Sequence, residues 1–342
     1  MMLIRNLPCF LTLALPLAAQ QADARAFVPP GFTVEAFVDF AALKEHELWD
    51  AIRGSAVGSL FGMAEQELGF ELADLDKLYA FPETGRKGEG LSQGGLMIMV
   101  GNDSVTLPPN QSRCEEGKLG DYQALLGKYG DDPDHWVQIR PGLLLMGTNH
   151  IVRPLLAKEV QPGVPEGDML ALTSVKGSMA HLVMAITDEM LGDLPFPVPE
   201  GVLQQDDKPQ FLMVRLRLQP GATADEEPQV FFEAALRHAN GTKGPAALKG
   251  VAEQGLAEAK KHPRLAAFKQ FWAKIELRTD GRDLSLSLPL GRPRDAAGQL
   301  VMLAAPLMLL GTTEAVPAPV EAVPEEKPAE EPKPAGGGRG GN

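Results

Sequence analysis

Apolar and polar positions between residues 27 and 311 form short blocks whose period switches between two and 3.6. Phe32, Val34, Ala36 and Val38 share one face at period two, which predicts a strand over 32–39. A helix over 40–53 follows, with Asp39 placed as its N-cap and Leu43, Leu48 and Ile52 as an apolar stripe. Gly54 breaks it, and a second helix runs to 68. Strands are predicted at 77–81 and, from a continuous apolar run, at 96–100. A helix over 122–129 then precedes a hairpin of 135–140 and 143–146 across Pro141-Gly142. A helix over 149–158 closes the block.

A second block repeats the order. It has a strand at 169–173 and a helix at 176–191 with Met179, Leu182, Val183 and Ile186 facing inward. After a Pro-rich loop over 194–202 comes a strand at 211–218, where Arg215 and Arg217 interleave with apolar residues. Two or three helices occupy 226–272. A hairpin of 274–278 and 284–290 spans the turn-forming Thr279-Asp280-Gly281-Arg282, and an apolar helix runs over 296–310. Tight hairpins require antiparallel pairing, so the predicted fold class is α+β: two structurally similar halves of antiparallel sheet with packed helices. The halves cover 25–160 and 161–311.

The ends differ from the middle. Residues 1–24 have the three parts of a cleavable secretory signal peptide: Arg5, an apolar run over 7–17, and Ala22-Asp23-Ala24. Cleavage after Ala24 fits this pattern, and cleavage after Ala19 competes with it. The protein is therefore expected to be periplasmic or extracellular. Residues 312–342, rich in Pro, Glu, Ala and Gly, bury too little apolar surface to offset their ordering entropy, which predicts a disordered tail. The apolar run over 300–310 is too short to span a bilayer and is interrupted by Pro306. No transmembrane anchor is expected after leader removal.

Charge narrows the partners. The chain has a formal net charge of −13 with 44% hydrophobic residues, so a nucleic-acid footprint is absent and the middle is globular. The leader contains Cys9, and Cys114 is the other cysteine. Cys114 lies among Glu115 and Glu116, whose charges raise a thiol pKa, so it is read as an inert thiol rather than a nucleophile.

Motifs for chemistry are missing. The one Gly-x-Ser-x-Gly run, Gly90-Leu91-Ser92-Gln93-Gly94, leads into the apolar strand predicted at 96–100 rather than a helix and so lacks the strand-to-helix setting of a nucleophile elbow; there is no Ser-x-x-Lys or Walker-type Gly-Lys-Ser/Thr sequence. Gly88-Glu89-Gly90-Leu91-Ser92-Gln93 resembles a dinucleotide loop but has Gln where the third glycine belongs. The six histidines have no i, i+4 pair. Asp131-Asp132-Pro133-Asp134-His135 has the carboxylates for a hard cation but lacks the glycine and distal glutamate of an EF-hand loop, and reads as a solvated acidic turn. Glu45-His46-Glu47 alternates around a helix, Trp49 reads as core, and Arg86-Lys87 as a basic surface loop. Sequons begin at Asn102, Asn110 and Asn240. The sequence assigns no catalytic residue, no cofactor-binding residue, no metal ligand and no cofactor.

Three stretches carry a resemblance: residues 36–43 (AFVDFAAL), residues 72–78 (LADLDKL), and residues 142–147 (GLLLMG) followed by a helix. In this order they resemble bacterial exported proteins of unknown function built from repeated α+β modules. The resemblance implies that fold and compartment, and transfers no functional residue. Three functions are set against one another. The first is a non-enzymatic binding or interaction module of the cell envelope, its partner an envelope protein or polymer. The second is a periplasmic carrier of an apolar or lipid-like ligand, motivated by Met179, Met184, Met190, Met302 and Met308. The third is a hydrolase with a dispersed active site, which needs convergent carboxylates in a cleft. Oligomeric state is left open.

Overall fold

The computed structural model describes residues 24–84, 91–109, 113–130, 132–163, 167–188, 190, 208–221, 223, 226–261 and 269–300. Its centre is one twelve-stranded sheet in which every pairing is antiparallel. The first half supplies β1 (Val34–Asp39), β2 (Leu75–Thr84), β3 (Leu91–Gly101), β4 (Cys114–Leu119), β5 (Tyr122–Gly127), β6 (Asp134–Arg140) and β7 (Leu143–Thr148). The second supplies β8 (Ser178–Ala185), β9 (Pro209–Gln219), β10 (Gln229–His238), β11 (Glu276–Asp280) and β12 (Asp283–Gly291). The order across the sheet is β11-β12-β10-β9-β8-β1-β2-β3-β7-β6-β5-β4.

That order contains the same path twice. The first half runs β1-β2-β3-β7-β6 and the second β8-β9-β10-β12-β11, with the β4–β5 hairpin added to the first. A helix follows β7 directly (α4, Asn149–Leu156), and residues 293–300 are helical after β12. The leading strands of the two paths, β1 and β8, pair antiparallel at the middle of the sheet. A pseudo-twofold axis therefore passes between them, normal to the sheet.

Helices α1 (Phe40–Lys44), α2 (Leu48–Arg53) and α3 (Ala56–Leu68) follow β1. Asp39 accepts a 2.9 Å hydrogen bond from the Ala42 amide, so the expected N-cap is in place. Phe40, Leu43, Leu48 and Trp49 bury against one face of the sheet, joining Met99 and Leu144 of the first half to Met179, Leu288 and Leu290 of the second. Trp49 stacks on Phe61, and the Arg53 guanidinium lies 5.5 Å from the Trp49 ring centre.

The opposite face is divided. One transverse row in the first half reads Phe37, Tyr79, Ile98, Leu145 and Val137. Its continuation through β8 reads His181, Arg215, Glu233, Ser287 and Glu276. The apolar half of this face is covered by Val28 of the N-terminal segment and by Val152 and Leu155 of α4. The run Leu143–Leu145 is buried completely because both faces are covered there. In the polar half, α5 (Gly167–Thr173) buries Met169 and Leu172 over Val183 and Met213.

Four expected elements need correction. Residues 122–127 form strand β5 rather than a helix, held between β4 and β6. Residues 178–185 form β8, the strand between β1 and β9, and Leu182 is 37% exposed rather than turned inward. Residues 229–238 form β10, and only the later part of that region is helical, as α6 (Lys243–Lys261) and α7 (Lys269–Lys274). Residues 169–173, expected as a strand, belong to α5. In the first three cases Ala, Leu, Met and Glu favour a helix locally, but two flanking strands supply ladder hydrogen bonds that outweigh the weak preference. In the fourth, Met169 and Leu172 bury at i, i+3, a spacing that suits a helix.

Among the described residues, no helix is long and apolar enough to cross a membrane. Residues 1–23 and 301–342, which contain nearly all of the expected leader and the whole expected tail, lie outside the described residues.

Candidate functional site

A cleft of about 340 Å³ opens on the divided face at the seam between the halves, lined from β1, β2, β8 and the N-terminal segment. Phe37 forms its aromatic floor, with its ring centre 5.0 Å from that of Tyr79 and 5.0 Å from that of His181 across the seam. His181 is buried, and its Nε2 lies 3.2 Å from Oε1 of buried Glu35. Burying an imidazole and a carboxylate costs several kcal/mol unless each finds a partner, and here each partners the other.

Ser178 joins them through a β-bulge. Ser178 faces Arg217 and Ala180 faces Leu216, so Met179 is an extra residue in β8. In a regular strand, positions 178 and 181 point to opposite faces. The bulge puts both on the cleft face and sends Met179 into the opposite core. Ser178 Oγ lies 3.3 Å from His181 Nδ1 and 3.4 Å from the Ala180 carbonyl. Just before it, Gly177 has φ +80° with the Leu218 carbonyl 2.6 Å from where a Cβ would stand, so only glycine fits.

The charges of the cleft are unevenly engaged. Glu35 is held by His181, and Asp39 caps α1. Arg25 and Lys77 also line the cleft; Lys77 stands directly opposite Asp39 across the β1–β2 pairing, and among the described residues neither cation comes within ion-pair distance of a carboxylate.

A neighbouring cleft of about 380 Å³ has apolar walls from Pro29, Pro30 and Phe32, and at its mouth His150 bridges two carboxylates. Its Nε2 is 2.6 Å from Glu83 Oε1, and its Nδ1 contacts Asp132 Oδ2. Asp132 Oδ1 also accepts the His150 amide at 3.0 Å. Burial pushes the imidazole pKa down, but Glu83 and Asp132 outweigh it and hold it above its ordinary value. Both ring nitrogens are engaged, so the ring has no lone pair to offer a metal.

The acidic run of the sequence supplies one arm of this clasp through Asp132; Asp131 lies outside the described residues. Among the described residues, no group of three or more His, Cys, Asp and Glu side chains is arranged to hold a metal ion. His135 is buried. It accepts the Gly127 amide at Nδ1, which leaves Nε2–H to donate to Asn149 Oδ1 at 3.0 Å. Cys114 opens the edge strand β4. Burial and Asp134 raise its thiol pKa against the pull of Lys128, which disfavours the reactive thiolate. Arg86-Lys87 lies outside the described residues. On the polar half of the sheet, burial of Glu233 raises its pKa, but hydrogen bonds from Arg217 and Arg215 bring it below the usual carboxylate range.

Sequence reasoning missed Glu35, Ser178 and His181 because 146 positions separate Glu35 from His181. The available signals were a histidine inside the apolar run Met179–Met184 and a glutamate within the strand Val34–Asp39.

No family model matches the chain, and no curated protein matches it. Solved structures similar to it are crystal forms III, IV and I of TP0453. Form III has a TM-score of 0.45 at 10% identity over 81% of this chain and 97% of that one. Form IV gives 0.43 at 9% over 80% and 95%, and form I gives 0.41 at 12% over 81% and 96%. Nothing about function passes from them to this chain.

Proposed function

We propose that the chain is an exported binding protein of the cell envelope whose seam cleft takes a small ligand bearing an anionic group. One observation carries this reading: Glu35 and Asp39 of the cleft are engaged by His181 and the Ala42 amide, whereas among the described residues Arg25 and Lys77 form no ion pair with a carboxylate and lie beside an aromatic floor. Small-molecule sites of this kind combine apolar walls with a few convergent polar groups, and their volumes run from about 300 to 1,000 Å³. At about 340 Å³ the cleft is at the small end, which favours a compact polar ligand over a long acyl chain. The leader pattern over 1–24 supports export, and an envelope partner follows from that compartment.

Native mass spectrometry of the protein purified from the exported fraction tests this reading. The expected result is a mass lacking the leader, together with a small adduct that is lost on denaturation and absent from Lys77→Glu. A full-length mass in the cytosolic fraction contradicts export. Failure of any small anion to bind contradicts the cleft.

A further inference from the structure

We infer that Ser178 is a nucleophile, with His181 as its general base and Glu35 orienting that base, so that the seam cleft carries out acyl transfer on small esters. This goes beyond ligand binding; the nucleophile rests on its own geometry, and the substrate class rests on the anion-binding reading of the same cleft.

The argument rests on hydrogen-bond polarity. An ionised Glu35 only accepts, so the ring proton of His181 belongs on Nε2, the nitrogen 3.2 Å from Oε1. Nδ1 then holds a lone pair, and the group facing it at 3.3 Å is the Ser178 hydroxyl. The single Ser178 hydroxyl proton has two acceptors, this lone pair and the Ala180 carbonyl at 3.4 Å; rotated to Nδ1 it gives a hydroxyl donating to imidazole and the imidazole donating to a carboxylate, the polarity that a base-activated serine requires. The burial gradient agrees, since Glu35 and His181 are buried whereas Ser178 is half-buried on the cleft wall. The bulge supplies a second geometric point, because without the extra residue Met179 the serine would face away from the histidine.

In the reaction, Oγ of Ser178 forms a bond to the ester carbonyl carbon while its proton passes to Nδ1 of His181. The tetrahedral adduct collapses by breaking the C–O bond to the alcohol, which leaves with that proton. Water then adds to the acyl-serine through the same base, releasing the carboxylic acid and restoring Ser178. Arg25 and Lys77 line the same cleft and provide positive charge for the oxyanion of each addition step. The ester class is small and anion-bearing, as the cleft volume and these cations require.

Diisopropyl fluorophosphate tests the nucleophile on the full mature chain: Oγ bonds to phosphorus, fluoride leaves and His181 takes the proton. The expected result is one covalent adduct mapped to Ser178 by peptide mass spectrometry. Ser178→Ala should abolish it, and His181→Asn should slow it by about 10²–10⁴-fold. Because His181→Asn removes a buried partner, Glu35→Gln provides a milder variant, and Ser178→Ala should keep the wild-type circular-dichroism spectrum and melting temperature. No adduct, an adduct on another residue, or a Ser178 adduct formed at an unchanged rate in Glu35→Gln overturns the inference.

Discussion

His150 draws together three parts of the chain: the end of β2 through Glu83, the turn before β6 through Asp132, and the first turn of α4. Its pKa is raised in the folded state, which fixes the sign of its pH dependence. The clasp contributes fully below the unfolded imidazole value and is lost as the pH rises through the folded value. His150→Gln is therefore expected to melt below wild type in mildly acidic buffer and to converge with it at alkaline pH. The side chain is 49% exposed, so solvent screening keeps the difference to about 1 kcal/mol or less. Melting curves of both proteins across pH 5–9 check this; a gap that widens toward alkaline pH would show that the clasp is not the cause. At this scale the sequence was legible where chemistry is local, as with the Asp39 cap; the Cys114 thiol pKa is raised as expected, but by burial and Asp134 rather than by the adjacent Glu115 and Glu116. The Glu35–His181–Ser178 set was not legible, because it needs a sheet pairing and a bulge that no short window contains.

Among the elements, the hairpins were the easiest to read. Gly142 has φ +76°, and a Cβ there would stand 2.5 Å from the Gly101 carbonyl. The Pro141-Gly142 signal thus marks both a turn and a close backbone approach from β3. Gly142→Ala is expected to cost about 1–3 kcal/mol, from left-handed strain together with the displaced contact. Urea denaturation measures this, and a loss within a few tenths of a kcal/mol would mean that the turn relaxes freely. By contrast β5, β8 and β10 were read as helices because residues such as Ala124, Leu125, Met184 and Ala234 suit a helix. Each of these strands is paired on both sides, and that pairing is a long-range fact. β1 is also paired on both sides, but the alternation of Phe32, Val34, Ala36 and Val38 left a signal that a local reading recovers.

For the whole molecule, the expected α+β class holds, as two five-strand paths joined at β1 and β8 into one sheet; the order of elements expected to repeat does not, because the strand expected at 169–173 is α5 and the helix expected at 176–191 contains β8. The seam is where the paths differ in chemistry: Phe37 and Tyr79 on one side face His181 and Arg215 on the other. A symmetric scaffold with unlike halves offers a cleft with an aromatic floor, a buried polar relay and two cations that form no ion pair among the described residues. Arg25 and Lys77 stand beside Glu35 and Asp39 in the same lining, and at a net charge of −13 nonspecific attraction of anions to this chain is weak, so anion binding there requires a specific site. The most direct test is a thermal-shift titration of the mature protein with a panel of small carboxylates and phosphate esters, run beside an Arg25→Gln/Lys77→Gln variant. A ligand that binds only the folded state raises the melting temperature in proportion to its saturation. The account predicts that at least one panel member stabilises wild type and leaves the double variant unmoved. Equal shifts in both proteins, or none in either, would contradict a seam cleft built to hold an anion.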